Sequence, residues 1–245
     1  MENLEKRVSA AVSHFWKTRD QQSKTQGSAA GDRDRGARSA VTGGAQMDGF
    51  IQLLADLLAD AGIPDSIIYR KQRIELPGFF RPTKEWDLLV VADGQLLASL
   101  ELKSQVGPSF GNNYNNRTEE AVGNATDFWT AYREGAFTKS PRPWLGYLML
   151  LEETKGSTTP VKVSESHFKV REEFRGASYT ERYRLLCRKL VRERLYDAAC
   201  FLLSSSDGGL KGRYSEPDPE VSFANLAASM TEKAMAHLRT RGRKA

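Results

Sequence analysis

The sequence predicts an α/β protein in which helices cover both faces of a central mixed β-sheet. Segments with the 3.6-residue repeat of a helix alternate along the chain with short stretches rich in apolar and β-branched residues. Two of these stretches flank Asp93-Gly94, a turn pair that favours an antiparallel hairpin. The later strand, helix, strand order is typical of right-handed parallel crossovers. A sheet that contains both kinds of pairing is therefore mixed.

The bulk composition limits the possible classes of protein. A chain of 245 residues can bury one large core, and a hydrophobic content of 40% is that of a folded protein. The net charge of +5 is compatible with a phosphate-bearing partner but does not require one. No apolar run approaches the roughly 20 residues that cross a bilayer. The two cysteines, Cys187 and Cys200, lack metal-type spacing, so we expect reduced thiols, a cytoplasmic setting and no membrane association.

The sequence divides into three segments. Apolar residues recur at helical spacing over residues 1–18 and predict an amphipathic N-terminal helix. Residues 19–44 are rich in Gly, Ser and charge, which is typical of a flexible linker. The same segment is also compatible with an arm that orders on DNA through its basic side chains, which are Arg33, Arg35 and Arg38. A single domain is expected over residues 45–245.

Within that domain, helices and strands are predicted in order. Helical periodicity predicts helices at about 46–61, 117–134, 178–195 and 221–239. Apolar and β-branched stretches predict strands at 66–75, 85–91, 96–103, 144–151 and 196–203. Asn116, three residues before Glu119, is a candidate N-cap for the second of these helices. Ser178 and Glu181 form a capping-box pattern at the start of the third.

The residues that could perform chemistry lie on the predicted hairpin. Side chains alternate between the faces of a strand, so Glu101 and Lys103 share one face, whereas Leu96 and Leu102 share the other. Antiparallel pairing of the predicted strands 85–91 and 96–103 brings Asp87 beside Glu101 and Lys103. Two neighbouring carboxylates repel each other, and a bound cation relieves this repulsion. Carboxylate oxygens are hard ligands of the kind that Mg²⁺ prefers. Together with a lysine that handles water and offsets developing charge, they favour phosphodiester hydrolysis. The alternative is a surface ion pair, because Glu-x-Lys occurs by chance in many strands.

Asp87 followed by Glu101-Leu102-Lys103, on a hairpin preceded by a helix and a strand, resembles the PD-(D/E)xK nuclease superfamily. More narrowly, residues 84–129 are similar to type II restriction endonucleases of the XhoI kind, and the likeness extends over nearly the whole chain. The resemblance implies a homodimer that uses Mg²⁺ to hydrolyse both strands of a palindrome in double-stranded DNA, CTCGAG in that family. It also implies a cognate DNA methyltransferase in the same host. The metal ligands it implies are Asp87, Glu101 and the backbone carbonyl of Leu102, and the water-handling group is Lys103.

Two further carboxylates compete for a place in this site. Trp86 precedes Asp87 where the superfamily pattern has proline, so Glu85 is a rival for Asp87 on the same strand face. Asp48, near the start of the first predicted helix of the domain, is a possible accessory ligand. It could equally stabilise the N-terminus of that helix.

DNA could be recognised by the segment that follows the catalytic strand, which we interpret as a loop containing GNNYNNR. Asn side chains suit adenine edges, and Arg suits guanine. The candidate DNA-binding residues are Ser104, Gln105, Asn112, Asn113, Asn115, Asn116 and Arg117. An ordinary loop whose Asn and Gly residues form turns explains the composition equally well. The basic helix at 178–195 is interpreted as a solvated face with some phosphate contacts.

Two other functions are compatible with the same residues. One is a repair or recombination nuclease with the same core, and the other is a non-catalytic DNA-binding protein that retains the fold. Cleavage of intact plasmid into discrete fragments would distinguish a restriction enzyme from a repair enzyme. DNA binding without Mg²⁺-dependent nicking would identify the non-catalytic protein.

Overall fold

A computed structural model gives the fold of residues 2–28, 44–138 and 140–241. The helices in these ranges are α1 (Glu2–Ser28), α2 (Asp48–Asp60), α3 (Phe110–Arg133), α4 (Lys155–Thr158), α5 (Tyr179–Arg192), α6 (Ser206–Leu210) and α7 (Phe223–Arg241). The strands are β1 (Ile68–Tyr69), β2 (Glu75–Pro77), β3 (Thr83–Glu85), β4 (Leu88–Ala92), β5 (Gln95–Gln105), β6 (Trp144–Glu152) and β7 (Ala198–Ser204). No helix in the described ranges is long and apolar enough to cross a membrane.

The central sheet is mixed, as predicted. Its strand order is β1-β4-β5-β6-β7; β1, β4 and β5 pair antiparallel, and β5, β6 and β7 pair parallel. The β4–β5 hairpin turns at Asp93 and Gly94, whose φ angles of 49° and 72° suit a tight two-residue turn. Strands β2 and β3 form a separate antiparallel ribbon beside this sheet.

Two hydrophobic cores cover the two faces of the sheet, which confirms the prediction of helices on both faces. The first core joins the sheet to α1, α2 and α7 and includes Phe15, Phe50, Leu54, Leu100 and Met230. The second joins the sheet to α3 and α5 and includes Phe128, Tyr147, Tyr183, Leu190 and Phe201. Glu101, Leu102 and Lys103 lie on β5, between these two cores, and Asp87 lies just before β4.

A β-bulge changes the side-chain alternation at the start of β5. Val90 lies opposite Ala98, but the next residue, Val91, lies opposite Leu96. One additional residue, Leu97, therefore stands on β5 in the two-against-one arrangement of a bulge. Leu97 and Ala98 both belong to the first core, whereas Leu96 belongs to the second. The prediction that Leu96 shares a face with Leu102 is wrong for this reason.

The N-terminal helix is longer than predicted and belongs to the main domain. Helix α1 continues to Ser28, so the predicted linker over residues 19–44 is wrong for its first ten residues. Phe15 and Trp16 are buried in the first core, and the Trp16 Nε1–H donates to Ser204 Oγ at 3.0 Å. The linker arginines Arg33, Arg35 and Arg38 lie outside the described residues.

Two of the predicted strands are shorter and more broken than expected. Within the stretch 66–75, only β1 and Glu75, the first residue of β2, are in strands, since Lys71 and Arg73 adopt positive φ angles of 73° and 55°. The predicted strand 85–91 is interrupted by a bend at Asp87 that separates β3 from β4. Trp86 N–H donates to Ile74 O in the ribbon, and the chain then turns into the central sheet.

Helix α3 begins at Phe110, seven residues before the predicted start, so the GNNYNNR segment is helical and not a loop. Asn116 accordingly lies inside the helix, and the N-cap position belongs to Ser109, which makes no side-chain capping bond. The Phe110 ring is buried and stacks on Tyr179 of α5 with 5.9 Å between ring centres. This tertiary contact anchors a first turn that the local sequence does not favour.

Candidate active site

The site is built where β5 extends past its neighbour β4. The last hairpin pair is Leu88 with Leu100, and the residues of β5 beyond this point pair only with β6. The edge of β5 that faced β4 is therefore open at Leu102. The Asp87 side chain lies at this edge, and its Oδ2 accepts the Leu102 N–H at 2.7 Å. Asp87 N–H in turn donates to Leu100 O at 3.1 Å, which holds the residue at the end of the hairpin.

Strand geometry also directs the carbonyl of Leu102 to this open edge. A residue in a strand points its N–H and C=O to the same side, toward the same neighbour. Because the Leu102 N–H reaches Asp87, its carbonyl oxygen points to the side where Asp87 lies. A carboxylate and a backbone carbonyl therefore share one strand edge.

Glu101 points to the α3 side of the sheet and is completely buried. Two lysines contact one of its carboxylate oxygens: Lys103 Nζ lies 2.9 Å from Oε1, and Lys84 Nζ lies 3.2 Å from it. Asn124 Nδ2 donates to both oxygens, at 2.8 and 2.9 Å, and the Tyr196 hydroxyl is 3.3 Å from Oε2. A buried carboxylate requires such partners, since removing its charge from water is otherwise costly.

These contacts set the ionisation of the three predicted site residues. Burial alone would raise the pKa of Glu101, but the charges of Lys103 and Lys84 and the hydrogen bonds it accepts outweigh burial, so its pKa is lowered. Burial would lower the pKa of Lys103, but attraction to Glu101 outweighs it and the pKa is raised. Burial raises the pKa of Asp87 despite the Leu102 hydrogen bond and the nearby lysine. The Glu101–Lys103 pair is therefore ionised at neutral pH.

The structure thus brings together Asp87, Glu101 and Lys103, the residues that strand alternation placed side by side. Among the residues described, no cluster of three or more His, Cys, Asp or Glu side chains could hold a metal ion. Two carboxylates and a carbonyl nevertheless fit Mg²⁺, which takes one or two protein carboxylates and keeps several waters. The chemistry of these oxygen donors suits a hard cation better than a transition metal.

The two competing carboxylates lie apart from this cluster. The Glu85 side chain is exposed on the β2–β3 ribbon opposite Glu75, and only its backbone carbonyl contacts Lys84. Asp48 forms an ion pair with Lys71, with 3.1 Å between Oδ2 and Nζ. Neither makes a hydrogen bond or ion pair with the Asp87 or Glu101 side chains.

Three residues around Glu101 were not anticipated from the sequence. Lys84 comes from the ribbon, where its Nζ also lies 4.4 Å from the centre of the Trp86 ring, within range of a cation–π contact. Tyr196 precedes β7. Asn124 interrupts the apolar stripe of α3 between Ala121 and Phe128, and a buried amide on such a stripe is the feature that could have identified it.

The candidate DNA-binding residues are divided between the core and the surface. Gln105 is buried, and its Oε1 accepts the Tyr183 hydroxyl, so its side chain is not available to DNA in this conformation. Ser104 Oγ accepts a hydrogen bond from Gln46 Nε2 at 3.3 Å. The remaining candidates lie on the first half of α3: Asn112, Asn115 and Asn116 are exposed, and Asn113 and Arg117 are partly buried.

The basic face of α5 is largely paired within the protein. Arg184 and Arg188 both contact the buried Asp218 at 3.2 Å, and Lys189 contacts Glu173 at 2.8 Å. Arg188 and Arg192 also reach Glu220, at 2.8 and 3.2 Å. These basic side chains stabilise the packing of α5 against neighbouring turns.

A mixed sheet with two carboxylates and a lysine at the open end of its central hairpin has the architecture of the PD-(D/E)xK nuclease class. Residues 26–216 match the model of the family described as restriction endonuclease XhoI. The chain belongs to the XhoI family of restriction endonucleases.

Three relatives have similarity over most of their length. The chain is 55% identical to the type II restriction enzyme BstVI of Geobacillus stearothermophilus over 77% of this chain and 86% of that protein. It is 42% identical to the type II restriction enzyme XhoI of Xanthomonas vasicola, over 83% of this chain and 78% of the relative. The type II restriction enzyme AbrI of Azospirillum brasilense is 46% identical, over 68% of this chain and 75% of the relative. No solved structure matches the chain.

Proposed function

We propose that the protein is a type II restriction endonuclease that hydrolyses double-stranded DNA with Mg²⁺ at Asp87, Glu101 and Lys103. The observation that carries this proposal is the geometry of β5 past the end of β4. There the Lys103 ammonium lies 2.9 Å from the buried Glu101 carboxylate, next to the strand edge that Asp87 occupies. Membership of the XhoI family and the names of the three relatives support the same reaction.

Each residue has a distinct role in this proposal. The Asp87 and Glu101 carboxylates and the Leu102 carbonyl hold the ion. When bound, Mg²⁺ stabilises negative charge on a phosphoryl oxygen and lowers the pKa of water. Because its pKa is raised, Lys103 is a cation at neutral pH. As an ammonium group it orients the attacking water and offsets charge in the transition state.

Recognition of a palindrome requires two equivalent sites. A homodimer with twofold symmetry would present one site to each strand, and CTCGAG is the palindrome that the family resemblance favours. The exposed asparagines at the start of α3 are the candidates for base contacts, because this helix also contributes Asn124 to the Glu101 cluster. A DNA methyltransferase that protects the same palindrome would accompany the enzyme in a cytoplasmic setting.

Incubation of the purified protein with plasmid DNA and Mg²⁺, followed by sequencing of the fragment ends, tests the proposal. We expect discrete fragments cut in both strands at one palindrome, and no cleavage when a chelator replaces Mg²⁺. Nicks at scattered positions would instead identify a repair nuclease. Binding of duplex DNA with no Mg²⁺-dependent cleavage would identify a non-catalytic DNA-binding protein.

A further inference from the structure

A chain of hydrogen bonds connects the tip of the β2–β3 ribbon with Glu101. The ribbon turns at residues 78–82, where Asp127 of α3 holds the backbone. Asp127 Oδ1 accepts the N–H groups of Phe79 and Phe80, each at 2.8 Å. Its other oxygen, Oδ2, accepts Arg81 Nε–H at 2.8 Å. The Asp127 side chain is 7% exposed, so the ribbon tip is fixed to α3 by a buried carboxylate.

The same arginine contacts the neighbouring turn of α3. Arg81 Nη2 donates to Asn124 Oδ1 at 2.7 Å. This contact determines the orientation of the Asn124 amide, because the carbonyl side accepts from the guanidinium and the NH₂ side then faces Glu101. A rotated amide would direct its oxygen at the Glu101 carboxylate and its donors at the Arg81 donors. Both contacts would then be lost at an amide that is itself buried.

Asn124 differs from the other partners of Glu101 in touching both carboxylate oxygens, at 2.8 and 2.9 Å. Lys84 and Lys103 contact Oε1. Tyr196 approaches Oε2 at 3.3 Å, and its hydroxyl is also 3.1 Å from Ala121 O. A donor shared by both oxygens fixes the orientation of the carboxylate more tightly than a contact with one oxygen does.

We infer that Asn124 and Arg81 are positioning residues: Arg81 orients the Asn124 amide, and Asn124 orients the Glu101 carboxylate toward the bound cation. The inference rests on the proposed function, since it assigns these residues to the cation site proposed for Glu101. Groups that orient a metal ligand commonly alter metal affinity by 10- to 100-fold when they are removed. Neither residue contacts the reacting atoms in this scheme.

The test compares Asn124→Leu, Arg81→Ala and the double variant. Mn²⁺ binding to the DNA-free protein is measured by electron paramagnetic resonance, and the Mg²⁺ concentration that gives half-maximal plasmid cleavage is measured in parallel. We expect Asn124→Leu to weaken Mn²⁺ binding about tenfold and to raise the half-maximal Mg²⁺ concentration similarly. Arg81→Ala should have a smaller effect in the same direction, of at least about threefold. Because Arg81 acts through Asn124, the double variant should resemble Asn124→Leu within about twofold.

Arg142→Ala is the matched control. Arg142 pairs with Asp197 at 2.5 Å, and Asp197 also accepts a backbone N–H, from Leu145 at 2.8 Å. This variant therefore removes the same kind of arginine–aspartate contact without removing a partner of Glu101 or Asn124, and its Mn²⁺ affinity should remain within about twofold of wild type. A thermal melt reports folding. If Asn124→Leu does not fold, Arg81→Ala still decides the question, since the Arg81 side chain is 39% exposed.

Wild-type Mn²⁺ affinity in a folded Asn124→Leu or Arg81→Ala variant would overturn the inference, as would additive effects in the double variant. A wild-type protein that cuts DNA while the variants keep its metal affinity contradicts the inference alone. A wild-type protein whose Mn²⁺ affinity depends on Asn124 but which cuts no DNA contradicts the proposed function and supports the positioning role. Absence of Mn²⁺ binding and of Mg²⁺-dependent cleavage in the wild type would contradict both.

Discussion

Lys103 is the residue whose removal tests the reaction most directly. Its side chain is 25% exposed, whereas the Glu101 side chain is 1% exposed. The Lys103 ammonium group is therefore more accessible to a substrate than the Glu101 carboxylate is. We predict that Lys103→Ala still binds duplex DNA but cleaves it at least about a hundredfold more slowly, as expected on loss of a catalytic group. The fold should persist, because Glu101 retains Lys84 and Asn124. Single-turnover plasmid cleavage and a binding assay without Mg²⁺ measure the two properties.

Lys189→Ala provides the control for that experiment. Lys189 is also paired with a glutamate, Glu173 at 2.8 Å, but on the outer face of α5. We expect this variant to cleave at nearly the wild-type rate. Near-normal cleavage by Lys103→Ala would exclude the proposed role of the lysine.

The ionisation of Glu101 makes the folding stability depend on pH in a defined direction. Its folded-state pKa lies below the ordinary value of 4.5, so its charge contributes stability above that pH. The contribution is lost as the pH falls through the lowered pKa. Glu101→Gln removes the charge and leaves Lys103 without its buried partner. We predict a loss of about 3 kcal/mol at pH 7, which is the lower end for breaking a buried pair because Lys103 is partly exposed.

Urea unfolding of the wild type and Glu101→Gln at pH 7 and at pH 4 measures this effect. The stability difference between the two proteins should be smaller at pH 4 than at pH 7. The pKa of Asp87 is raised, so its contribution to stability increases as the pH falls. Asp87 is present in both proteins, so most of this contribution cancels in the difference between them. A difference that grows on acidification would contradict the lowered pKa of Glu101.

Helix α3 carries both a positioning residue and the candidate base-reading residues. Asn115 and Asn116 are exposed on its first half, so replacement by alanine should leave stability unchanged or slightly increased, because alanine favours helices. If these side chains read bases, each replacement should reduce cleavage of the cognate site about tenfold or more, since a good base contact contributes about 1–3 kcal/mol. Competition between cognate and mismatched oligonucleotides measures this discrimination.

Gln52→Ala on α2 is the control for the α3 replacements. Gln52 is an exposed amide on a helix, and its side chain bonds to Asp56 at 2.6 Å. Its loss should leave both cleavage and discrimination at the wild-type level. Unchanged discrimination in the α3 variants would place base recognition elsewhere in the protein.

The elements that the sequence predicted well are those with local determinants. The Asp93-Gly94 turn and the alternation over Ala98 to Lys103 specify the β4–β5 hairpin, and they predicted that Glu101 and Lys103 share one face. The start of α3 was not predictable in this way, because its Gly and Asn residues favour turns. It forms a helix because Phe110 packs on Tyr179 of a distant element.

The environment of Glu101 likewise depends on tertiary contacts that the local sequence does not specify. Lys84, Asn124 and Tyr196 come from the ribbon, from α3 and from the turn before β7, and only tertiary packing brings them to one carboxylate. The sequence supplied the acidic and basic groups on β5, whose spacing is fixed by the strand. It could not supply the hydrogen bonds that set their ionisation, since these depend on how three other elements approach the sheet.

The affinity of the protein for DNA should depend steeply on salt concentration. The net charge is +5, and each phosphate neutralised by a lysine or arginine releases counterions. We predict that the logarithm of the binding constant falls linearly with the logarithm of salt concentration, with a slope of about −0.9 per phosphate contact. Fluorescence anisotropy of a labelled duplex over 50 to 200 mM salt measures it, a range over which roughly 6–10 contacts would lower affinity by about 10³–10⁵. A flat profile would contradict a DNA substrate.

The internal pairing of α5 gives this salt experiment its control. Arg188 contacts Asp218 and Glu220, so it is not a free cation for a phosphate. Arg188→Ala should therefore keep the wild-type salt slope, whereas its urea midpoint should fall because the buried Asp218 loses a partner. A slope that becomes less negative by about one unit would instead show that Arg188 leaves its acidic partners to bind the DNA backbone. The basic face of α5 would then belong to the DNA-binding surface as well as to the fold.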